Sequence, residues 1–75
     1  MKTNIHIYER TYKGSETVLK LLAEIKNANF RFFVGDEFTF INSEKHESII
    51  VDSVNASLIN GEFIHNVIGK SRFRE

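Results

Sequence analysis

The stretch of sequence that decides the fold is residues 54–67, which read VNASLINGEFIHNV. At its centre lie Asn60 and Gly61, two residues that accept a positive φ angle. A two-residue type I′ hairpin turn requires positive φ at both of its central positions, and Asn-Gly is the pair that best meets this requirement. The sequence therefore predicts a β-hairpin closed by Asn60 and Gly61, and the short turn fixes the register of its two strands.

This register places apolar side chains opposite one another. The cross-strand pairs that it predicts are Ile59/Glu62, Leu58/Phe63, Ala56/His65 and Val54/Val67. Side chains opposite each other in a sheet share a face, so Leu58, Phe63, Val54 and Val67 are expected to face the core. The opposite face would then carry Asn55, Ser57, Ile64 and Asn66.

The strand that enters this hairpin changes its hydrophobic phase. Ile49 and Val51 share one phase, whereas Val54, Ala56 and Leu58 share the other. An extra residue in one strand causes such a change, so we expect a β-bulge at residues 51–53. The bulge would turn Asp52 outward; if Asp52 instead pointed inward, it would need a partner, and His65 is the candidate.

Upstream, the chain reads as aromatic and extended. Residues 30–34 form an aromatic run, Gly35 and Asp36 signal a turn, and Phe38 and Phe40 alternate with polar residues in a strand that ends near Ile41. The polar residues 42–47 predict a loop before the next strand.

The N-terminal part predicts a strand followed by a helix. In residues 3–10, Ile5 and Ile7 alternate with His6, Tyr8 and Arg10, which is typical of a strand with one aliphatic face. Ser15 is a suitable N-cap, and residues 16–28 then carry apolar side chains at helical spacing. The apolar helix positions are Val18, Leu21, Leu22, Ile25 and Ala28.

The predicted fold is therefore α+β, in the order β-α-β-β-β, with one amphipathic helix packed on a small antiparallel sheet. Residues 1–75 form one domain, and residues 70–75 are expected to be a frayed basic tail. An alternative is an SH3-like bent barrel with an added N-terminal strand and helix. Residues 34–40, Val-Gly-Asp-Glu-Phe-Thr-Phe, resemble the entry strand of such barrels.

Composition limits the classes of function. The net charge is zero, and residues 36–62 hold six acidic residues and one lysine, which argues against a dedicated nucleic-acid binder. No apolar run approaches the length of about 18 residues that a membrane helix needs, and the first residues lack the apolar segment of a signal peptide. Cysteine is absent, so we expect a cytoplasmic protein without disulfides.

Patterns that would indicate catalysis are missing from the sequence. His6, His46 and His65 lack the spacing of metal ligands, and no serine lies in a nucleophile motif. The four glycines are isolated, so no glycine-rich loop is present to bind a phosphate. We therefore expect no enzyme activity, no cofactor and no metal, and we interpret His65 as a partly buried, hydrogen-bonded residue.

The remaining interpretation is a small protein-binding or regulatory module, an inhibitor or adaptor that docks on a larger protein, with a homodimer as a further alternative. Seven phenylalanines and the exposed edges of a small sheet motivate this interpretation. The competing interpretation is a nucleic-acid-binding module that uses basic and aromatic residues of the sheet and tail. The candidate partner-binding residues are His6, Tyr8, Tyr12, Arg31, Phe33, Arg72, Phe73 and Arg74.

Overall fold

A computed structural model describes residues 3–41, 43–44 and 46–71 of the chain. They form five β-strands: β1 (Thr3–Lys13), β2 (Glu16–Ala28), β3 (Glu37–Ile41), β4 (His46–Ile59) and β5 (Glu62–Ser71). The strands make one sheet in the order β2-β1-β5-β4-β3, in which β1 and β5 are parallel and the other neighbours are antiparallel. In this part of the chain there is no helix long and apolar enough to cross a membrane.

The predicted α+β fold is wrong, because residues 16–28 form the strand β2 and not a helix. Gly14 and Ser15 make a two-residue turn between Lys13 and Glu16, with Gly14 at a φ angle of 64°. Glycine with positive φ at the first central position suits a type II′ hairpin turn, so Ser15 belongs to a turn and does not cap a helix. The SH3-like bent barrel is compatible with a structure built of strands alone, although its added helix is wrong as well.

Two irregularities in β2 explain why its apolar residues resemble a helix. The register of β2 against β1 shifts between Ile7 and Tyr8 and again between Thr3 and Ile5, so that β2 carries an extra residue at each place. Each extra residue lengthens the interval between inward-facing residues, and Leu22, Ile25 and Ala28 all reach the core at a spacing of three. A spacing of three is also what an amphipathic helix shows, so periodicity alone could not separate the two structures.

The predicted β4–β5 hairpin is confirmed. Asn60 and Gly61 have φ angles of 50° and 81°, and all four predicted cross-strand pairs are present. The predicted bulge is confirmed as well, because the register shifts between Val51 and Ser53 and leaves Asp52 as the extra residue.

The main buried cluster lies on one face of the sheet and does not reach the tip of the hairpin, while Ile64 and Ile68 are buried on the opposite face. Leu58 and Phe63 share the face of Val54 and Val67 as predicted, but they are 62% and 65% exposed whereas Val67 is fully buried, so the prediction that this pair belongs to the core is wrong. The described strands form one sheet, and the connection between β2 and β3 packs against its core side through Phe32. The buried cluster is Ile5, Ile7, Ala28, Val51 and Val67, with Leu22, Ala23, Ile25, Phe32, Phe38 and Val54 packed against it.

The connection between β2 and β3 supplies the aromatic part of the core. Phe32 packs against Phe38 with ring centroids 5.2 Å apart. The predicted turn follows: the amide of Asp36 donates to the carbonyl of Phe33, and Gly35 has a φ angle of 99°. Two backbone hydrogen bonds then join Gly35 and Asp36 to Val51 of β4, and they hold the connection against the sheet.

The C-terminal end of the sheet extends further than predicted. Lys70 and Ser71 belong to β5 and pair with Ile50 and Ile49 of β4, so the strand does not end near Gly69. The rest of the predicted tail, residues 72–75, lies outside the described residues.

Candidate binding surface

The face of the sheet opposite the core, called the outer face below, carries the predicted stripe of His6, Tyr8 and Tyr12. These residues alternate along β1 with the buried Ile5 and Ile7, so strand geometry places all three on one side. The rings of His6 and Tyr8 meet edge to face with centroids 6.4 Å apart. Tyr12 is 68% exposed near the end of the β1–β2 hairpin.

Strand β2 adds apolar side chains to this stripe. Leu21 lies opposite Tyr8, and Leu19 lies opposite Arg10, so both leucines share the outer face with the tyrosines. Leu19 and Leu21 are exposed over nearly half of their surface. We call Tyr8, Tyr12, Leu19 and Leu21 the outer-face patch. The helix prediction missed Leu19 and placed Leu21 in the core, although Gly14-Ser15 is a hairpin signal that could have identified both.

Beside the patch, the middle of the outer face is polar and internally hydrogen-bonded. The Nδ2 group of Asn66 donates to Oδ1 of Asn55 at 2.9 Å and to Oγ of Ser57 at 2.8 Å. The three polar residues line part of a shallow groove of about 250 Å³. The rest of the groove is lined by Ile59, Ile68 and the patch residues Tyr8 and Leu19. The outer face therefore combines an apolar patch with a fixed polar centre.

An ion pair and a longer polar contact lie on the outer face. Arg10 donates from an Nη atom to Oδ2 of Asp52 at 2.5 Å, with both side chains about three-quarters buried. This contact joins β1 to β4 across β5, and it stabilises the sheet on the side away from the core. His6 lies with Nε2 3.9 Å from Oε1 of Glu24, at the other end of the stripe.

Asp52 and His65 do not pair with each other. Asp52 binds Arg10, and Nε2 of His65 lies 3.2 Å from the carbonyl oxygen of Phe32. A carbonyl oxygen only accepts, so Nε2 carries the hydrogen in this contact. His65 is 8% exposed, and the prediction that it is a buried, hydrogen-bonded residue is confirmed.

Arg31 and Phe33 lie apart from the outer-face patch. Both are exposed in the connection between β2 and β3, which crosses the core side of the sheet. Arg31 borders a larger groove of about 560 Å³, which the start of β5 lines with Glu62 and Phe63. The structure thus brings His6, Tyr8 and Tyr12 together and separates them from Arg31 and Phe33. The other three candidates, Arg72, Phe73 and Arg74, lie outside the described residues.

Within residues 3–41, 43–44 and 46–71, no group of three or more histidine and acidic side chains is placed to hold a metal ion. Comparisons with protein-family models, with curated proteins and with solved structures find no match for this chain.

Proposed function

We propose that this chain is a small, non-catalytic protein-binding module of the cytoplasm that docks on a larger protein through its outer face. The observation that carries the proposal is the outer-face patch: two tyrosines and two leucines on the side of the sheet away from the core. Tyrosine and arginine are among the residues most enriched at the positions that dominate binding energies, and Arg10 lies between the two tyrosines along β1.

The chemistry of the patch favours an apolar protein surface as the partner. The positive charge of Arg10 is neutralised by Asp52 in their ion pair, so the patch presents little net charge at its centre. Covering the polar residues beside the patch costs less than burying free polar groups, because Asn66 already hydrogen-bonds to Asn55 and Ser57. Protein interfaces combine apolar surface with hydrogen-bonded polar groups, as this face does.

The nucleic-acid alternative would use Arg31 and Phe33 on the other side of the sheet. In the described residues, Arg31 borders the same groove as the acidic Glu62, which disfavours a phosphate there. We therefore treat nucleic-acid binding as an outcome of the test below.

The test uses two aromatic positions that are exposed to the same degree on different sides of the sheet. Tyr12 on the outer face is 68% exposed, and Phe63 on the core side is 65% exposed. A photo-crosslinking amino acid is placed at position 12 or at position 63 of the full chain, and both proteins are irradiated in extract of the native cells. The protein captured from position 12 is then purified, and its affinity for the wild type, Tyr12→Ser and Phe63→Ser is measured.

We expect a defined protein to be captured from position 12 only. Its affinity should fall at least tenfold for Tyr12→Ser and stay unchanged for Phe63→Ser, because only Tyr12 belongs to the patch. Equal losses for the two variants, or capture from position 63 alone, would refute docking through the outer face. Salt-sensitive binding of oligonucleotides that Arg31→Gln abolishes would replace the proposal with the nucleic-acid alternative.

A further inference from the structure

Strand β2 forms one edge of the sheet, and its outer edge has no strand beside it within the described residues. A strand at an edge presents unpaired N–H and C=O groups, which recruit another strand unless charges or irregularities block the approach. The first part of β2, residues 16–21, is regular, because the register shifts of β2 fall beyond Leu21. This six-residue segment is the part of the edge that could accept a strand.

The β1–β2 hairpin decides which backbone groups of this segment point outward. The residues that flank a two-residue hairpin turn form a hydrogen-bonded pair, and bonded and non-bonded pairs alternate from there. Lys13 and Glu16 flank the turn, so Glu16, Val18 and Lys20 bond inward to β1. The backbone groups of Thr17, Leu19 and Leu21 consequently point away from the sheet.

We infer that the partner of this edge is β2 of a second copy of the chain, paired antiparallel about Val18. In this register Val18 lies opposite Val18 of the second copy, and Thr17 lies opposite Leu19 in a hydrogen-bonded pair on each side of it. Glu16 of each copy then lies opposite Lys20 of the other. The dimer extends the single sheet from five strands to ten.

The charges of Glu16 and Lys20 favour this register over other registers of the β2–β2 pair. Residues that lie opposite each other must share a face of the sheet, so one copy of β2 can shift along the other only in steps of two residues. Each such step moves the centre of the pairing by one residue. The register centred on Leu19 places Lys20 opposite Val18, and the register centred on Lys20 places two lysines opposite each other, which is destabilising. The register centred on Val18 gives two pairs of opposite charge.

The charges on the neighbouring strands fit the same register. On the side of the sheet that carries Glu16 and Lys20, the β1 residues opposite them are Lys13 and Glu9. Across the four strands at the centre of the dimer, the signs therefore alternate: Lys13 and Glu16 of one copy, then Lys20 and Glu9 of the other. Alternating signs at adjacent positions favour association on both sides of the new strand pair.

This self-pairing uses the edge of β2 and is independent of docking through the outer face. Sedimentation equilibrium of the full chain over a range of concentrations tests it, with Lys20→Glu and Glu16→Lys as charge variants and Lys26→Glu as the control outside the register. The wild type and Lys26→Glu should dimerise, whereas each charge variant alone should dimerise at least tenfold more weakly, because like charges then face each other. Circular dichroism checks that every variant is folded.

Mixing the two charge variants supplies the decisive measurement. In the mixed dimer, one copy carries glutamate at both positions 16 and 20, and the other copy carries lysine at both. Both cross-strand pairs then have opposite charge again, so dimerisation should recover to within about threefold of the wild type. If Lys20→Glu fails to fold, Val18→Lys still tests the dimer. It places two lysines opposite each other at the centre of the pairing, so it should abolish dimerisation. A wild type that is monomeric at its highest soluble concentration, or a dimer that these variants leave unchanged, would overturn the inference.

Discussion

Replacing Gly69 by alanine should destabilise the protein through a clash between β5 and β4. A Cβ atom at Gly69 would lie 2.5 Å from Cγ2 of Ile49, 2.7 Å from the backbone oxygen of Ile50 and 3.2 Å from its carbonyl carbon. Non-bonded carbon atoms prefer separations of about 3.5 to 4.0 Å, so the strands must separate by roughly 1 Å. Ile49 can adjust its side chain, but the oxygen of Ile50 belongs to the backbone and cannot rotate away.

The expected cost follows from measured overpacking in protein cores, which is about 1 to 3 kcal/mol. Because two of the three contacts involve backbone atoms, we expect about 2 to 3 kcal/mol, a large part of the roughly 4 to 11 kcal/mol typical of a chain this size. The midpoint of thermal unfolding should fall by about 10 to 20 °C. Urea and thermal unfolding followed by circular dichroism measure both quantities.

Two further variants separate the clash from other effects of the added methyl group. Ile49→Leu moves the side-chain branch away from Cβ, so in combination with Gly69→Ala it should recover about 1 kcal/mol of the loss. Gly14→Ala adds a methyl group in open space at a φ angle of 64°, and it should cost only about 1 to 2 kcal/mol. If Gly69→Ala were no more destabilising than Gly14→Ala, the close approach of β5 to β4 would be wrong.

Three other substitutions test separate parts of the sheet by urea unfolding. Gly61→Ala should lose about 1 kcal/mol or more, because alanine disfavours the φ angle of 81° in the hairpin turn, and an unchanged midpoint would contradict the type I′ turn. Asp52→Asn should cost about 1 kcal/mol or less at low salt by weakening the ion pair with Arg10, and the loss should shrink as salt is added. Val67→Ala should cost about 2 kcal/mol and Leu58→Ala only a few tenths, because Val67 is buried and Leu58 is exposed; equal losses would place the hairpin tip in the core.

The C-terminal half of the fold could be predicted from the sequence because local chemistry and hydrophobic pattern agree there. Asn60 and Gly61 fix a turn, the turn fixes a register, and the change of phase around Asp52 identifies the bulge. Each inference uses residues close together in the chain. The extent of the core was harder to predict, since the exposure of Leu58 and Phe63 depends on how far the connection between β2 and β3 reaches over the sheet.

The N-terminal half could not be predicted in the same way, because β2 carries two conflicting signals. Its leucines, lysines, alanines and glutamates favour a helix, and its two extra residues imitate helical spacing. Pairing with β1 overrides this local preference, and only Gly14-Ser15 indicated that outcome in the sequence. As a result, the stripe of His6, Tyr8 and Tyr12 was predicted from β1, whereas Leu19 and Leu21 beside it were not.

The parallel pair of β1 and β5 has a consequence for how the molecule acquires its structure. β1 and β5, the first and last strands in sequence order, meet inside the sheet with Ile7 beside Val67, while their hairpin partners β2 and β4 flank them. Each hairpin can form from contacts within itself, but the cluster of Ile5, Ile7, Val51 and Val67 is complete only when β5 has paired with β1. Folding therefore depends on a long-range encounter that is slow compared with hairpin formation. During synthesis on the ribosome, Ile5 and Ile7 therefore stay open to solvent and to chaperones at least until β5 has emerged and paired with β1.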